Sequence, residues 1–338
     1  MTPGRARPSG ILVIAEIGST HDGSLGIARN SVEVAAGCGV DLVKFQTHLA
    51  EAETTRSAPP PPFFDAESRV EYFRRTGFSR GQWQALREHA RQCGVGFVSS
   101  PFSVEAVALL EEVGVERYKV PSGEVTNRPL LEEIARTGKP VLLSSGMSDW
   151  RELDAAVEAI RRHHDRLTVL QCTSLYPCPY ERVGLEVMLA MAERYGSPVG
   201  FSDHTLTNFA ALAAATLGAA VIEKHFTLSR HLYGSDARHS AEPPQFRELV
   251  EGVRAIEAML AAPVDKDDLA PFAEMKRVFE KSVVSVADIP RGATITRGML
   301  GIKKPGTGIR PDRLGQVVGR RAARDIPTDT VVTDSDLL

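Results

Sequence analysis

Side chains capable of acid–base chemistry, anion binding or metal binding recur at eight points along this chain of 338 residues. Each point follows a short run of apolar, mostly β-branched residues, which is typical of a buried strand. Serine and glycine are common in turns, so one such point alone would carry little information. Eight in series indicate a common site where successive strands end. The candidate residues are Glu16, Lys44, Gln46, Ser100, Lys119, Ser122, Glu124, Ser145, Ser174, Tyr176, Ser202, His204 and His225.

His204 and His225 end two consecutive predicted strands, so we expect their imidazoles to be neighbours. Two imidazoles with nearby carboxylate and water oxygens suit a divalent ion such as Mn²⁺, Co²⁺ or Zn²⁺. The alternative is that each ring forms a hydrogen bond to backbone, as a lone histidine usually does. The paired placement favours the metal site. We expect the remaining histidines to lie at the surface.

Lys44 and Lys119 also lie where their side chains should point into the site. An enclosed ammonium group without a partner costs several kcal/mol, so each lysine needs an anion. Glu16 and Glu124 could supply it, or a substrate could supply a phosphate and a carboxylate. With Asp236 included, the protein groups give a net charge of about −1, and a divalent metal changes it to about +1. The metal and the lysines together therefore favour an anionic substrate.

The elements that carry these residues alternate between strand and helix, a pattern typical of a parallel sheet with crossover helices. Eight such units in series predict a closed (β/α)₈ TIM barrel, whose active site lies at the carboxyl ends of the strands. Ser79 and Asp149 each precede a Gln or Glu by three residues, the spacing of a helix capping box. The predicted strands are Ile11–Ile17, Leu42–Gln46, Gly96–Ser99, Arg117–Val120, Val141–Ser144, Thr168–Cys172, Val199–Ser202 and Val221–His225.

An insertion, Leu49–Phe78, follows the second predicted strand and contains the run Pro59–Pro62. Consecutive prolines force an extended backbone. Because the insertion follows a strand end on the face of the barrel that carries the site, it could act as a lid. A plain surface excursion is the alternative.

The sequence predicts a barrel domain over 1–262, a linker over 263–280 and a small β-rich domain over 281–338. The segment around Ala261–Ala270 contains Pro and Asp, and the helical period disappears after Lys281. In the tail, 288–300 resembles 325–337 at a constant offset, with Asp-Ile-Pro at the start of each copy. Such a repeat predicts two similar halves packed together.

The composition is that of an ordinary globular enzyme, with 43% hydrophobic and 25% charged residues and a net charge of −3. This balance and the lack of a basic stripe argue against a nucleic-acid partner. The apolar run Ile11–Ile14 is too short for a signal or membrane helix, so we expect a cytoplasmic protein without a membrane partner. The four cysteines form no Cys-x-x-Cys pair and are expected to be reduced core thiols.

In these motifs the chain resembles the sialic acid synthase family, which makes N-acetylneuraminate and related nonulosonates. The resemblance extends over nearly the whole chain, and the tail is similar to the antifreeze-like (SAF) domain of that family. It rests on the order of the motifs Glu16-Ile17-Gly18, His21-Asp22-Gly23-Ser24, Lys44-Phe45-Gln46-Thr47-His48, Ser122-Gly123-Glu124, Ser202-Asp203-His204-Thr205 and Glu223-Lys224-His225-Phe226.

The resemblance implies a metal-dependent transferase that condenses phosphoenolpyruvate with N-acetylmannosamine or a related sugar aldehyde and releases phosphate. It implies Mn²⁺, or alternatively Co²⁺ or Mg²⁺, on His204 and His225. Phosphoenolpyruvate would contact Lys44, Ser100, Lys119, Ser122, Ser145 and Ser202. The sugar would contact Glu16, Gln46, Tyr176 and Asp236, while Glu124 would lie near the reacting carbons. The residues expected to act in catalysis are Glu16, Lys44, Lys119 and Glu124.

Two positions depart from the bacterial pattern of the family. Ser174 stands where some members carry asparagine, and Lys304 stands where those members carry an arginine. In the family the tail reaches over the barrel of a partner subunit, so the resemblance also implies a domain-swapped homodimer. There the arginine contacts the acyl group of the sugar, and lysine lacks its planar fork. Lys304 is therefore either a substitute sugar contact or a solvated surface charge.

Three other functions remain as alternatives. A phosphoenolpyruvate-condensing barrel that acts on a phosphorylated aldose would use the same chemistry but would not be expected to carry this tail. A barrel metallohydrolase would need further metal ligands, and the first strand has no His-x-His. A non-catalytic carbohydrate-binding protein would have no use for two enclosed lysines.

Overall fold

The computed structural model describes residues 10–59, 67–234 and 236–338. Eight parallel strands close into a barrel in chain order, as predicted. At the closing seam, β1 pairs with β8 from Leu12 opposite Val221 to Glu16 opposite His225. Predicted and observed strand bounds differ by at most two residues. The strands are β1 (Leu12–Gly18), β2 (Leu42–Thr47), β3 (Gly96–Pro101), β4 (Tyr118–Val120), β5 (Val141–Ser144), β6 (Leu167–Cys172), β7 (Val199–Asp203) and β8 (Val221–His225).

Helices surround the barrel, and both predicted capping boxes are present, at Ser79 with Gln82 and at Asp149 with Glu152. Two of the helices end on a left-handed glycine, Gly114 and Gly196, a conformation that glycine adopts without steric cost. No described helix is long and apolar enough to cross a membrane. The helices are α1 (Leu25–Gly37), α2 (Ala50–Glu53), α3 (Arg69–Thr76), α4 (Arg80–Gln92), α5 (Val104–Val113), α6 (Arg128–Arg136), α7 (Trp150–Arg161), α8 (Leu185–Tyr195), α9 (Phe209–Thr216) and α10 (Pro243–Ala261).

The insertion contributes α2 and α3, and it is anchored on the barrel by buried side chains. Tyr72 of α3 is 2% exposed, and its hydroxyl donates a hydrogen bond to Ser19 Oγ at 2.9 Å. Ser68 begins α3 with a capping box. Of the predicted proline run, Pro59 is described and Pro60–Pro62 lie outside the described residues.

Two apolar layers form the barrel core. The outer layer packs the strands against the helices and includes Trp83, Leu130 and Phe246. The inner layer fills the lumen of the barrel. Its members, one from nearly every strand, are Ile14, Leu42, Val98, Leu142, Leu170 and Val221.

Contacts divide the chain into two compact units, 1–262 and 263–338. The segment predicted as a linker lies in the second unit and carries a helix, α11 (Ala273–Phe279). The rest of this unit contains an antiparallel pair, β9 (Ser282–Ser285) and β10 (Leu300–Lys303), and a short helix, α12 (Leu314–Val317). Its core is separate from that of the barrel and includes Val283, Ile289, Ile295, Ile309, Ile326 and Val332.

The two copies of the repeat in the tail pack against each other, as predicted. Ile289 and Ile326, which occupy the same place in the two copies, pair antiparallel and exchange both backbone hydrogen bonds at 2.9 Å. The two aspartates do the same with side chains: Asp325 accepts from Arg291 N, and Asp288 accepts from Thr328 N.

Candidate active site

Four charged side chains form a buried cluster at the carboxyl ends of the strands. Lys44 Nζ lies 2.7 Å from Glu16 Oε1 and 3.8 Å from Glu223 Oε1. Lys119 Nζ lies 3.2 Å from the same Glu223 oxygen. None of the four side chains is more than 5% exposed. Because their surroundings are poorly polarisable, the two ammonium groups and two carboxylates interact strongly and act as one unit.

Both signs of charge are retained in this cluster. Burial opposes a charge on Lys44, but the carboxylates of Glu16 and Glu223 outweigh it and raise the pKa of the lysine. Burial also opposes ionisation of Glu223, yet Lys119 and Lys44 hold the pKa of this carboxyl well below its usual range. The second oxygen of each carboxylate, Glu16 Oε2 and Glu223 Oε2, is buried without a hydrogen-bond partner. Each can therefore accept a hydrogen bond from a substrate or a reacting water.

Glu223 is the site residue that the sequence analysis missed, and strand periodicity could have identified it. Successive side chains of a strand alternate between its two faces, so a residue two positions after a lumen residue also points inward. Val221 lies in the lumen, and Glu223 follows it by two. The same rule leads from the lumen residues Ile14, Leu42, Val98, Leu142 and Leu170 to Glu16, Lys44, Ser100, Ser144 and Cys172.

Glu124 was one of two carboxylates considered as internal partners for the lysines, and the structure gives it a different partner. Its Oε2 accepts a hydrogen bond from Asn127 Nδ2 at 2.7 Å, and the carboxylate that contacts Lys119 is Glu223. Burial raises the pKa of the Glu124 carboxyl, and the nearby Glu53 raises it further. The surroundings of Glu124 therefore increase its affinity for a proton, and it is not one of the four residues of the charge cluster.

The predicted serines lie around the cluster in different bonding states. Ser100 Oγ is buried and has no hydrogen-bond partner, and the same holds for Ser144 Oγ, which the prediction passed over. Ser202 Oγ donates to Glu223 Oε1 at 3.1 Å. Ser122 Oγ accepts the Gly146 N–H at 3.1 Å. Ser145 Oγ donates to the Leu170 carbonyl, so this predicted ligand is engaged with backbone.

His204 and His225 lie side by side, with ring centroids 5.5 Å apart. His204 Nδ1 donates to the Thr173 carbonyl at 2.8 Å, which leaves the lone pair of the neutral ring on Nε2. His225 Nδ1 is buried without a partner, and burial lowers the pKa of this ring. Burial opposes a proton on His204, but Cys172 and the Thr173 carbonyl outweigh it and raise the pKa of this ring. A divalent ion binds the unprotonated imidazole, so it would replace that proton, and each ring can then offer a nitrogen lone pair. These two residues therefore fit a metal.

No group of three or more His, Cys, Asp or Glu side chains within the described ranges could hold a metal. An ion on His204 and His225 would thus complete its coordination with oxygens from water or substrate. Such open positions are typical of catalytic rather than structural metal sites. Tyr176 covers the pair, its ring centroid 4.2 Å from that of His204.

Three of the four residues expected to face the sugar, Glu16, Gln46 and Asp236, lie close together around Gly18, whereas Tyr176 lies over the histidine pair. Gln46 Nε2 donates to Glu16 Oε1 at 2.7 Å, and Ser19 Oγ donates to Asp236 Oδ2 at 3.1 Å. Gly18 lies between them with φ +53°, and a Cβ on it would come within 2.8 Å of Asp236 Oδ2. A glycine is required here both for its backbone conformation and for the space it leaves.

Ser174 lies beside Gly146: a Cβ on that glycine would come within 2.4 Å of Ser174 Oγ. Lys304 belongs to the second unit, where its exposed ammonium lies 5.1 Å from the ring centroid of Phe279.

Two histidines assigned to the surface are enclosed, which corrects that prediction. His21 is 2% exposed and stacks on Phe78 with centroids 4.7 Å apart. The His48 side chain is 9% exposed and stacks between two phenylalanines. Of the cysteines, Cys38, Cys172 and Cys178 are buried free thiols, whereas Cys93 is only partly buried.

Comparison with known proteins identifies the family. The model of the NeuB family matches residues 31–265, and that of the SAF domain matches residues 280–338. Among relatives, N,N'-diacetyllegionaminic acid synthase of Campylobacter jejuni is 34% identical over 96% of this chain and 99% of its own. Human N-acetylneuraminate-9-phosphate synthase is 33% identical over 95% of this chain and 91% of its own.

A solved structure shows the same fold. It is the N-acetylneuraminic acid (sialic acid) synthetase of Leptospira borgpetersenii in complex with citrate, 29% identical in sequence, with a TM-score of 0.70 over 79% of this chain and 91% of its own. The predicted resemblance to the sialic acid synthases is thus confirmed over nearly the full chain. The protein belongs to the NeuB family and carries a C-terminal SAF domain.

Proposed function

We propose that this chain is a nonulosonate synthase that condenses phosphoenolpyruvate with the open-chain aldehyde of an N-acylated hexose and releases phosphate. One observation carries the proposal: the buried cluster of Lys44, Lys119, Glu16 and Glu223 stands beside the histidine pair. The names of several relatives support it, since they are synthases of N,N'-diacetyllegionaminic acid, pseudaminic acid and N-acetylneuraminate 9-phosphate.

Phosphoenolpyruvate fits the cluster because it carries a phosphate and a carboxylate on adjacent groups. Lys44 and Lys119 provide two buried cations, and each ammonium has three N–H donors, more than its contact with a carboxylate uses. Ser100 Oγ and Ser144 Oγ are buried hydroxyls without partners and can donate to the same anions. A substrate bound in this way replaces water around charges that the protein has already oriented, which is how such sites favour a reaction.

We assign the metal to His204 and His225, with Mn²⁺ as the proposed ion. When bound, it would act as a Lewis acid on the aldehyde of the sugar. The Thr173 carbonyl holds the His204 ring in the required tautomer. Tyr176 covers both rings and keeps the aldehyde end of the sugar against them.

The reaction requires one new carbon–carbon bond, one water and one leaving phosphate. The C2–C3 π electrons of phosphoenolpyruvate attack the aldehyde carbon, whose oxygen takes a proton, and positive charge forms at C2. Water adds at C2 and loses one proton, which gives a tetrahedral intermediate. The C2–O bond to phosphate then breaks with the electron pair leaving on phosphate, and the second proton of the added water leaves as the C2 carbonyl forms. Glu124 suits the proton relay, because burial raises its pKa. The free oxygens of Glu16 and Glu223 can accept from the attacking water or from the sugar.

The SAF domain leads to a proposal about assembly. We propose that the protein is a domain-swapped homodimer in which Lys304 contacts the acyl group of the sugar in a partner's barrel. Lys304 is exposed, and its chemistry differs from that of the arginine usual in bacterial members. Light scattering after size-exclusion chromatography tests the dimer, and a stable monomer would contradict it. The Lys304→Arg variant tests the contact through a changed preference between acylated sugars.

The decisive experiment measures phosphate release from phosphoenolpyruvate by metal-loaded enzyme in H₂¹⁸O. The panel contains N-acetylmannosamine, its 6-phosphate, mannose, 2,4-diacetamido sugars, arabinose 5-phosphate and erythrose 4-phosphate. Release with a nonulosonate precursor, a 2-keto-3-deoxy acid of the expected mass and phosphate free of ¹⁸O would support C–O cleavage by this enzyme. Preference for a phosphorylated pentose or tetrose, or no release with any aldose, would refute the proposed function.

A further inference from the structure

A chain of hydrogen bonds leads from the insertion to the charge cluster. Glu53 Oε1 lies 2.7 Å from His48 Nδ1, and His48 Nε2 lies 3.1 Å from Gln46 Oε1. Gln46 Nε2 in turn donates to Glu16 Oε1, the oxygen that pairs with Lys44. This series of hydrogen bonds begins at Glu53 in α2, within the insertion, and ends among the residues proposed to bind both substrates.

The direction of each hydrogen bond is fixed from the inner end. Glu16 is ion-paired with Lys44, so its carboxylate can only accept, and Gln46 must present its NH₂ group to it. The Gln46 carbonyl then faces His48, which must donate through Nε2. The other ring nitrogen of His48 faces the Glu53 carboxylate at 2.7 Å.

Both nitrogens of His48 therefore face acceptors, which requires a proton on each. The carboxylate cannot donate unless it is protonated, and an imidazole ordinarily takes a proton before a carboxylic acid keeps one. His48 is thus an imidazolium in this arrangement, and Glu53 is its counter-ion. A neutral ring would place a lone pair against a carboxylate or against the Gln46 carbonyl.

Aromatic stacking prevents the ring from turning to avoid such a conflict. Phe73 of α3 lies parallel to it, with centroids 3.9 Å apart and planes at 6°. Phe102, which follows β3, covers the other face at 4.0 Å. Besides Glu53, the charged or titratable groups that act on His48 are Glu124, before α6, and His21, after β1. The faces of the two phenylalanine rings also attract the positive charge of the imidazolium.

We propose that His48, as an imidazolium, is a positioning residue that fixes the amide of Gln46 for the acceptor sugar and so couples the insertion to the site. This inference rests on the proposed function for its substrate. Lys44 keeps its own contact with Glu16 whatever His48 does, so phosphoenolpyruvate binding is largely independent of it. A side chain at position 48 that does not donate through Nε2 releases the Gln46 amide and weakens use of the sugar alone.

Three variants separate positioning from support of the fold. His48→Phe keeps a ring between Phe73 and Phe102 but cannot donate, so kcat/KM for the aldose should fall about 10- to 100-fold. KM for phosphoenolpyruvate should change by less than about twofold, since that site keeps both of its lysines. Glu53→Gln can donate its amide to Nδ1, so the ring no longer needs its second proton.

The pH profile gives the sharper comparison. The amide of Glu53→Gln can donate to Nδ1 of a neutral ring, whereas the Glu53 carboxylate cannot, so the dependence of kcat/KM for the aldose on pH should differ between this variant and the natural chain. Glu51→Gln is the matched control, because Glu51 lies in the same helix but is exposed and paired with Arg74. It should retain the natural kinetics and pH profile.

The protonation state can be read without any turnover. With ¹⁵N-labelled histidine, the natural enzyme should show a ring with two protonated nitrogens that is missing in His48→Phe and singly protonated in Glu53→Gln. A neutral His48 in the natural enzyme, an unchanged pH profile in Glu53→Gln, or equal losses for both substrates in His48→Phe would overturn the inference. Absence of phosphate release by the natural enzyme would instead refute the proposed function, and the spectrum would still decide the state of His48.

Discussion

Lys119 and Glu223 form an ion pair across the barrel, with Nζ and Oε1 3.2 Å apart and their side chains 3% and 5% exposed. They come from β4 and β8, which lie on opposite sides of a closed ring of eight strands. The pair therefore places one cation and one anion in the middle of the mouth. Glu16 and Lys44 add a second carboxylate and a second ammonium group. The charges of the four side chains therefore balance, and the two ammonium groups remain available to an anion.

The first prediction concerns Glu223→Gln, which removes one carboxylate but keeps its shape. Lys119 then becomes a buried cation without its partner, so the free energy of unfolding should fall by about 3 kcal/mol. Phosphoenolpyruvate supplies the missing negative charge, so it should raise Tm more in the variant than in the natural chain. Urea denaturation and thermal melts with and without phosphoenolpyruvate measure both effects.

Asp154→Asn is the control for this prediction, since it removes the carboxylate of an ion pair with Arg194 whose side chains are 39% and 47% exposed. An exposed pair contributes less than about 1 kcal/mol, so this variant should lose little stability and gain nothing from the ligand. If Glu223→Gln and Asp154→Asn lose the same stability and gain the same Tm from phosphoenolpyruvate, the pair of Lys119 and Glu223 does not contribute to anion binding as we propose.

A second prediction tests the space around Gly146. A Cβ there would lie 2.4 Å from Ser174 Oγ, 2.5 Å from Ser122 Oγ and 3.0 Å from Cys172 Sγ. Gly146→Ala must displace these groups, so KM for phosphoenolpyruvate should rise about 10-fold or more. Gly81→Ala is the matched control, because a Cβ there meets nothing within 4 Å and lies in α4. Steady-state kinetics measure the effect. An unchanged KM for phosphoenolpyruvate in Gly146→Ala would show that binding of this substrate does not depend on the present positions of Ser122 and Ser174.

The sequence predicted the barrel and most of this site, because the strand ends carry their chemistry in short, regular motifs. The inward direction of Glu223 can be read from the strand period, because it lies two residues after Val221 and two before His225. The role of Glu124 could not be read in the same way, since it lies in a turn after β4, where no period fixes the direction of a side chain. For Glu124 only the fold could show that Asn127 is its partner.

The enclosed histidines were missed for a related reason. His48 follows β2 by one residue, and its burial depends on Phe73, which is 25 positions later in the insertion, and on Phe102 after β3. Such an environment is made by long-range packing, which a pattern of near neighbours does not contain. The same is true of the contact between Tyr72 and Ser19.

A third prediction follows from His21, whose pKa is lowered from 6.5 to about 4, chiefly by burial. Between these values the unfolded chain binds a proton that the folded chain does not, so stability falls as pH falls from about 6.5 to about 4. The full effect corresponds to about 3 kcal/mol. In His21→Gln, an amide oxygen can accept the Gly23 N–H but does not titrate, so the acid loss should be smaller.

Denaturation of both proteins by urea between pH 7.5 and pH 4 measures this difference. His163→Gln serves as the control, since His163 is exposed at the end of α7 and should leave the pH dependence as it is. An equal acid loss in the natural chain and in His21→Gln would mean that His21 takes up a proton without unfolding.

The last prediction concerns the metal. Dialysis against a chelator should abolish phosphate release, and Mn²⁺ should restore it, because the Thr173 carbonyl engages His204 Nδ1 and so leaves Nε2 for an ion, and His225 Nδ1 has no hydrogen-bond partner. His204→Gln and His225→Gln should each bind less than one equivalent under conditions where the natural chain binds about one, as measured by elemental analysis. Mn²⁺ should also raise Tm in the natural chain and not in the variants. His239→Gln is a matched control, because His239 also lies after β8 but takes no part in the contact between the rings of His204 and His225. Full metal content in both variants of the histidine pair would place the ion elsewhere.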